Sequence, residues 1–146
     1  MTTKVLVTGA GGYIGRHVVT ALLNRRADVV AIERPGRRSE RAPIDPRASL
    51  VELDIFEQRE QLLELVGDCD VVVHLAWEAG FVHNSPVHME RLGEHFGLLR
   101  AAAERGVKRI AVMGSMHEVG FCRRRLDNHP PAVPLRGGKE RAAAGP

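Results

Sequence analysis

Val5-Leu6-Val7-Thr8-Gly9-Ala10-Gly11-Gly12-Tyr13-Ile14-Gly15 is the stretch whose reading decides the fold. It opens as an apolar, β-branched run and passes without a linker into glycines. A helix-period segment follows, with Ile14, Val18 and Leu22 on one face. Strand, glycine turn, helix is the order in which a chain presents a helix N-terminus to a phosphate. Gly9 permits the sharp turn out of the strand. Gly12 has no Cβ to hold a pyrophosphate away from the backbone, and Gly15 lets the helix pack closely. Gly11, Gly12 and Tyr13 are expected under that pyrophosphate, at the first helix N-terminus.

Outward from this unit, strand and helix character alternate. Residues 28–32 read as a second strand, and 34–47, rich in Arg and Pro, as a loop. Residues 50–53 read as a third strand, 57–66 as a helix with Gly67 as its C′ residue, and 71–75 as a fourth strand. The longest predicted helix covers 87–105, with Leu92, Phe96, Leu99 and Ala103 as its apolar face and Gly106 as its end. Residues 108–113 give a fifth strand. Such alternation predicts an α/β, Rossmann-like, doubly wound parallel sheet of about five strands. Right-handed crossovers set its order as 3-2-1-4-5. Residues 1–120 form this domain. Residues 121–146 hold Arg123, Arg124 and Arg125, Pro130, Pro131 and Pro134, and read as a mostly irregular tail.

Composition bounds the function classes. Apolar residues at 44% and charged residues at 27% are ordinary for a soluble chain. No run is long and apolar enough to span a bilayer, and no signal-peptide pattern opens the sequence, so a cytoplasmic protein without a membrane partner is expected. Cys69 and Cys122 are scattered, as reduced thiols are. The net charge of +3 is concentrated in 121–146, where Arg123, Arg124, Arg125, Arg136, Lys139 and Arg141 face Asp127 and Glu140. That leaves no basic stripe on the domain for nucleic acid. His74, His83, His88, Cys69 and Cys122 lack zinc-ligand spacing, so no metal is expected.

Thr8-Gly9-x-x-Gly12-Tyr13-Ile14-Gly15 resembles the extended short-chain dehydrogenase/reductase family, also called the NAD-dependent epimerase/dehydratase family. The resemblance implies NAD or NADP as cofactor. Glu33, at the end of the second strand, can accept hydrogen bonds from a ribose hydroxyl, which favours NAD. Arg34, with Arg37 and Arg38 behind it, pulls toward the 2′-phosphate of NADP; the balance favours NAD. Asp54-Ile55 matches a family position beside the adenine, and Asp54 can also cap the following helix. His74-Leu75-Ala76-Trp77 resembles the family's His-Leu-Ala-Ala stretch. It implies that Leu75 and Ala76 line the cleft. His74 reads as a packed structural histidine, and Trp77 as a nicotinamide cover or a space filler.

The resemblance also implies a Ser after the fifth strand and a Tyr-x-x-x-Lys on the next helix as catalytic groups. Ser115 matches the Ser, with Gly120 five residues on. Pro131, Pro134 and Lys139 match the approach to the helix, but Leu135 stands where the Tyr belongs, and the sequence has one tyrosine, Tyr13. The expectation is a truncated dinucleotide-binding protein, with Ser115 and Lys139 as catalytic remnants and weak or lost turnover of a nucleotide-sugar or other carbonyl substrate. Two other readings stand beside it. One is a non-catalytic binding or regulatory module that assembles with another chain. The other is a small enzyme of different chemistry built on Ser115, His117 or Glu118. A homo-oligomer paired through the long helix is expected.

Overall fold

Aliphatic runs become five short parallel strands, and the turns between them carry the helices. The structure, a computed structural model, describes residues 2–36, 43–78, 82 and 85–114. Contacts group the chain into a unit Met1–Met113 and a second, Gly114–Pro146. Gly114 is the one described residue of the second unit. The first unit runs β1 (Lys4–Thr8), α1 (Gly15–Asn24), β2 (Asp28–Glu33), β3 (Ser49–Glu52), α2 (Arg59–Gly67), β4 (Val71–His74), α3 (Val87–Glu90), α4 (Leu92–Glu104) and β5 (Arg109–Val112). All pairs are parallel and the sheet order is β3-β2-β1-β4-β5. That is the expected α/β architecture.

Successive strand residues point to opposite faces, and both faces are covered. Leu6, Val30, Ile32 and Val72 face one side, against Leu62 and Val66 of α2 and Leu98 and Ala102 of α4. Val5, Val7, Val29 and Ala31 face the other, against Val19 of α1. The uninterrupted Val/Leu/Ile runs follow from this double burial; a one-sided sheet would alternate apolar and polar.

Two helix expectations need correction. The predicted 87–105 helix is two helices, separated at Arg91, whose backbone (φ −88°, ψ −8°) lies in the bridge region. Gly93 and Gly97 begin α4 with poor helix formers, and Arg91 is drawn off to pair with Glu78 and Glu94. The buried face is also different: His95, Leu98, Ala101 and Ala102 point inward, while Leu92 and Phe96 are exposed. Gly67 is the last residue of α2 and Asp68 its C-cap, so Gly67 is not the C′ residue. Gly106 does end α4, with a left-handed φ of +81° that suits glycine.

Candidate functional site

Thr8 pairs in register with Ile32 on one side and His74 on the other, so β1, β2 and β4 end level. Their exits diverge and leave a cleft of about 620 Å³ at the carboxyl edge of the sheet. Gly9 and Gly12 form one wall of it and Glu33 and Arg34 another. Ile55 and Phe56 come from the β3 exit, and Leu75, Ala76, Trp77 and Glu78 from the β4 exit. A crevice outside the strand carboxyl ends, where the strand order reverses, is where open α/β sheets take ligands.

The glycine turn is built by close approach. Gly9 has φ +67°, and a Cβ there would stand 2.8 Å from the Ala76 nitrogen. Gly15 is fixed because a Cβ would overlap the carbonyls of Gly9 and Ala10; it packs on the turn rather than on the strand. At Gly11 a Cβ would overlap the Glu33 carboxylate. At Gly12 it would meet the Gly9 carbonyl at 3.0 Å and otherwise has room toward the cleft. No side chain caps α1, and no acid sits in its first turn. Its positive end is therefore left for a ligand. Tyr13 and Ile14 lie exposed at that end, with the Arg16 guanidinium 5.4 Å from the Tyr13 ring centroid.

Glu33 ends β2 only 9% exposed, and its Oε2 has no hydrogen-bond partner. A buried carboxylate oxygen left unpaired costs free energy until something donates to it. Arg34 is engaged. Its Nε lies 3.2 Å from Asp54 Oδ2 and its Nη2 2.5 Å from Glu78 Oε1. Asp54 Oδ1 meanwhile accepts from the Phe56 and Glu57 amides at 2.9 and 3.3 Å. It thus caps the turn before α2 as well as holding Arg34; Gln58 is the N-cap of α2 itself.

Behind the cleft wall runs a buried chain of polar groups. Thr8 Oγ1 is 2.7 Å from His74 Nδ1, and His74 Nε2 is 2.7 Å from His95 Nδ1. The Ala76 amide donates to Thr8 Oγ1 at 3.3 Å. Burial, and then His95 beside it, push the His74 imidazole down to about 4, so it is neutral at pH 7. Trp77 stacks on His95 with ring centroids 5.0 Å apart, and Phe56 meets His95 edge-on at 5.1 Å. Trp77, which lines the cleft, thus lies on His95 and is also stacked on His88. The chain holds the Leu75–Trp77 wall against the glycine turn.

Ser115, Lys139, Arg37, Arg38, His117, Glu118, Cys122 and the 121–146 tail lie outside the described residues. Among the described residues no group of three potential metal ligands comes together, and no helix is long and apolar enough to cross a membrane.

The profile of the NAD dependent epimerase/dehydratase family matches residues 5–136. The chain belongs to this family. Among curated relatives, it is 40% identical over 132 residues to dTDP-6-deoxy-L-talose 4-dehydrogenase (NAD(+)) of Aggregatibacter actinomycetemcomitans, covering 90% of this chain and 48% of the relative. It is 34% identical over 125 residues to dTDP-4-dehydro-6-deoxy-D-allose reductase of Streptomyces bikiniensis, covering 76% and 37%. The chain therefore spans about half or less of the length of these relatives. Its fold superposes on the Bordetella bronchiseptica enzyme WbmH, solved in complex with NAD+, with a TM-score of 0.73 and 25% identity over 93% of this chain and 47% of that one.

For a member of an NAD-dependent family, the residues present fit a dinucleotide. The unpaired Glu33 oxygen suits a hydroxyl donor, the uncapped α1 end suits an anion, and Gly12 leaves the backbone approachable. Sequence reasoning missed Thr8, Glu78, Arg91 and His95. His95 carried a signal: with Leu98 and Ala102 it keeps the 3-4 spacing of an inward face.

Proposed function

We propose that this chain binds NAD in the cleft beside the glycine turn, with Glu33 on the adenosine ribose and the pyrophosphate at Gly11, Gly12 and Tyr13. The unpaired, buried Glu33 oxygen carries this reading. NAD is favoured over NADP, because Glu33 would repel a 2′-phosphate and Arg34 is already held by two carboxylates. The relatives' names, with their dTDP-sugars, support a nucleotide-sugar carbonyl or alcohol as substrate class. The nicotinamide supplies the hydride chemistry. Ser115 would orient the substrate and Lys139 would hold the nicotinamide ribose. Leu135 stands four residues before Lys139, where the family's tyrosine belongs. General acid–base help of the kind such a phenol gives is worth ~100- to 10,000-fold, so hydride transfer by this chain is slow at best.

Calorimetric titration with NAD+ and NADP+ tests the reading. NAD+ should bind the wild type more tightly, and Glu33→Ala should move the NADP+/NAD+ affinity ratio toward NADP+ by about tenfold, as removal of one nearby like charge can. No binding of either dinucleotide would overturn the assignment. Brisk turnover of a carbonyl substrate that survives Ser115→Ala would overturn the catalytic part.

A second reading, assembly with another copy of the chain, is favoured by Met89, Leu92 and Phe96, which recur along α3 and α4 and are 73%, 48% and 64% exposed. Light scattering of the purified chain should then give twice the monomer mass; a monomer at all concentrations would exclude it.

A further inference from the structure

Arg34 leaves the end of β2, yet its guanidinium is gripped from two other crossovers. Asp54, after β3, takes the Nε side at 3.2 Å, and Glu78, after β4, takes Nη2 at 2.5 Å. Glu78 is itself fixed from the N-cap of α4: Arg91 Nε is 3.0 Å from its second oxygen, and Arg91 Nη1 pairs with Glu94 at 2.9 Å. Arg91 also lies over the Phe56 ring, 4.9 Å from its centroid. The Asp54 and Glu78 side chains are about four-fifths buried.

Arginine recognises a phosphate with two parallel N–H groups on one edge of its fork. Here the Nε/Nη2 edge is shared between two carboxylates, which takes that edge, fixes the plane of the fork and offsets its charge. The buried Glu33 carboxylate lines the same cleft. Among the described residues Glu33, Asp54, Glu78 and Glu94 outnumber the Arg34 and Arg91 guanidiniums, so a 2′-phosphate reaching this corner meets excess negative charge.

We propose that Glu78, with Asp54, sequesters Arg34 and so makes the cleft selective for a dinucleotide whose ribose 2′-hydroxyl is not phosphorylated. Glu78 is then a positioning residue that sets cofactor choice through Arg34. This inference rests on the dinucleotide reading above and adds the means by which the basic residue beside Glu33 is silenced.

The test is calorimetric titration of wild type, Glu78→Gln and the Glu78→Gln/Arg34→Leu double variant with NAD+ and NADP+. Glu78→Gln should raise the NADP+/NAD+ affinity ratio by about tenfold, the scale of one carboxylate's charge at near-contact distance in a partly buried site. The double variant should lose that gain, because the freed guanidinium is what binds the phosphate. Asp54→Asn keeps a capping side chain and frees the Nε side, so it should move the ratio the same way. NAD+ binding that persists with an unmoved ratio in both single variants overturns the role of Glu78 and leaves the cleft assignment standing. An equal loss of both dinucleotides gives Glu78 a structural role only and overturns selectivity. If the wild type binds neither dinucleotide, the cleft reading falls, and this proposal falls with it.

Discussion

Gly12→Val is expected to lose NAD+ binding by roughly 100-fold or more in a chain that still unfolds cooperatively. A pyrophosphate at a helix N-terminus is held by charge-assisted backbone hydrogen bonds worth about 1.5–3 kcal/mol each, so excluding it from two amides accounts for a loss of that size. A valine at this position would point its branched carbons where the proposed pyrophosphate lies. The cost to the fold is smaller than at Gly15, because a Cβ at Gly12 meets one backbone atom, the Gly9 carbonyl, at 3.0 Å, and Gly12 needs no left-handed φ. Gly15→Ala is the contrasting case. Its Cβ overlaps backbone carbonyls of Gly9 and Ala10, which cannot swing away as a side chain can. That variant should lose stability and binding together, as thermal melting alongside calorimetry would reveal. Gly12→Val with undiminished affinity would remove the pyrophosphate from this turn.

The fold was legible because doubly buried parallel strands write themselves as unbroken aliphatic runs, and glycines mark the exits. Gly9 was readable as a sharp turn and Gly106 as a helix end, and both have the left-handed φ that such places favour in glycine. The α4 face was not, since hydropathy ranks Leu92 and Phe96 above His95 and Ala102. Burial there is decided by close helix–sheet packing and by a polar partner, His74, 21 residues away. The break at Arg91 depends on a pull from Glu78, 13 residues earlier in the chain. Glu33 could be placed from its distance to the glycines. Its contact with Gly11, and the capture of Arg34 by Glu78 across 44 residues, exist only once the crossovers bring the strand exits together. Local pattern thus located the cleft, and long-range charge pairing set its character.

The histidine pair behind the cleft wall should make the fold acid-labile in a window set by His74. Its folded pKa is lowered from an ordinary 6.5 to about 4, first by burial and then by His95. Unfolding releases it to titrate normally. Between those values the unfolded chain holds a proton that the folded chain refuses, so stability is full above pH 6.5 and falls as pH drops toward 4. A shift of that size corresponds to about 3 kcal/mol at the lower end of the window. His95 is lowered too, by burial first; Glu78 and Glu94 oppose that and Arg91 adds to it, so it contributes in the same direction. Two carboxylates add to the loss at the acid end: Asp70 is held below its usual range by Lys108, and Glu78 is lowered because, against burial, Arg34 and Arg91 pull harder, so the double histidine variant is what isolates the histidine share. Burial explains why the fold refuses the proton: His74 is 3% exposed, and a charged imidazole there would have only a hydroxyl and a second imidazole as hydrogen-bond partners. Urea midpoints measured from pH 7.5 to pH 4 should therefore fall steadily in the wild type. They should flatten in His74→Leu/His95→Leu, which removes both titrating rings and keeps the volume apolar. A wild-type midpoint that stays level from pH 6.5 to 4, with the fold intact, would show that the pair accepts its proton in place.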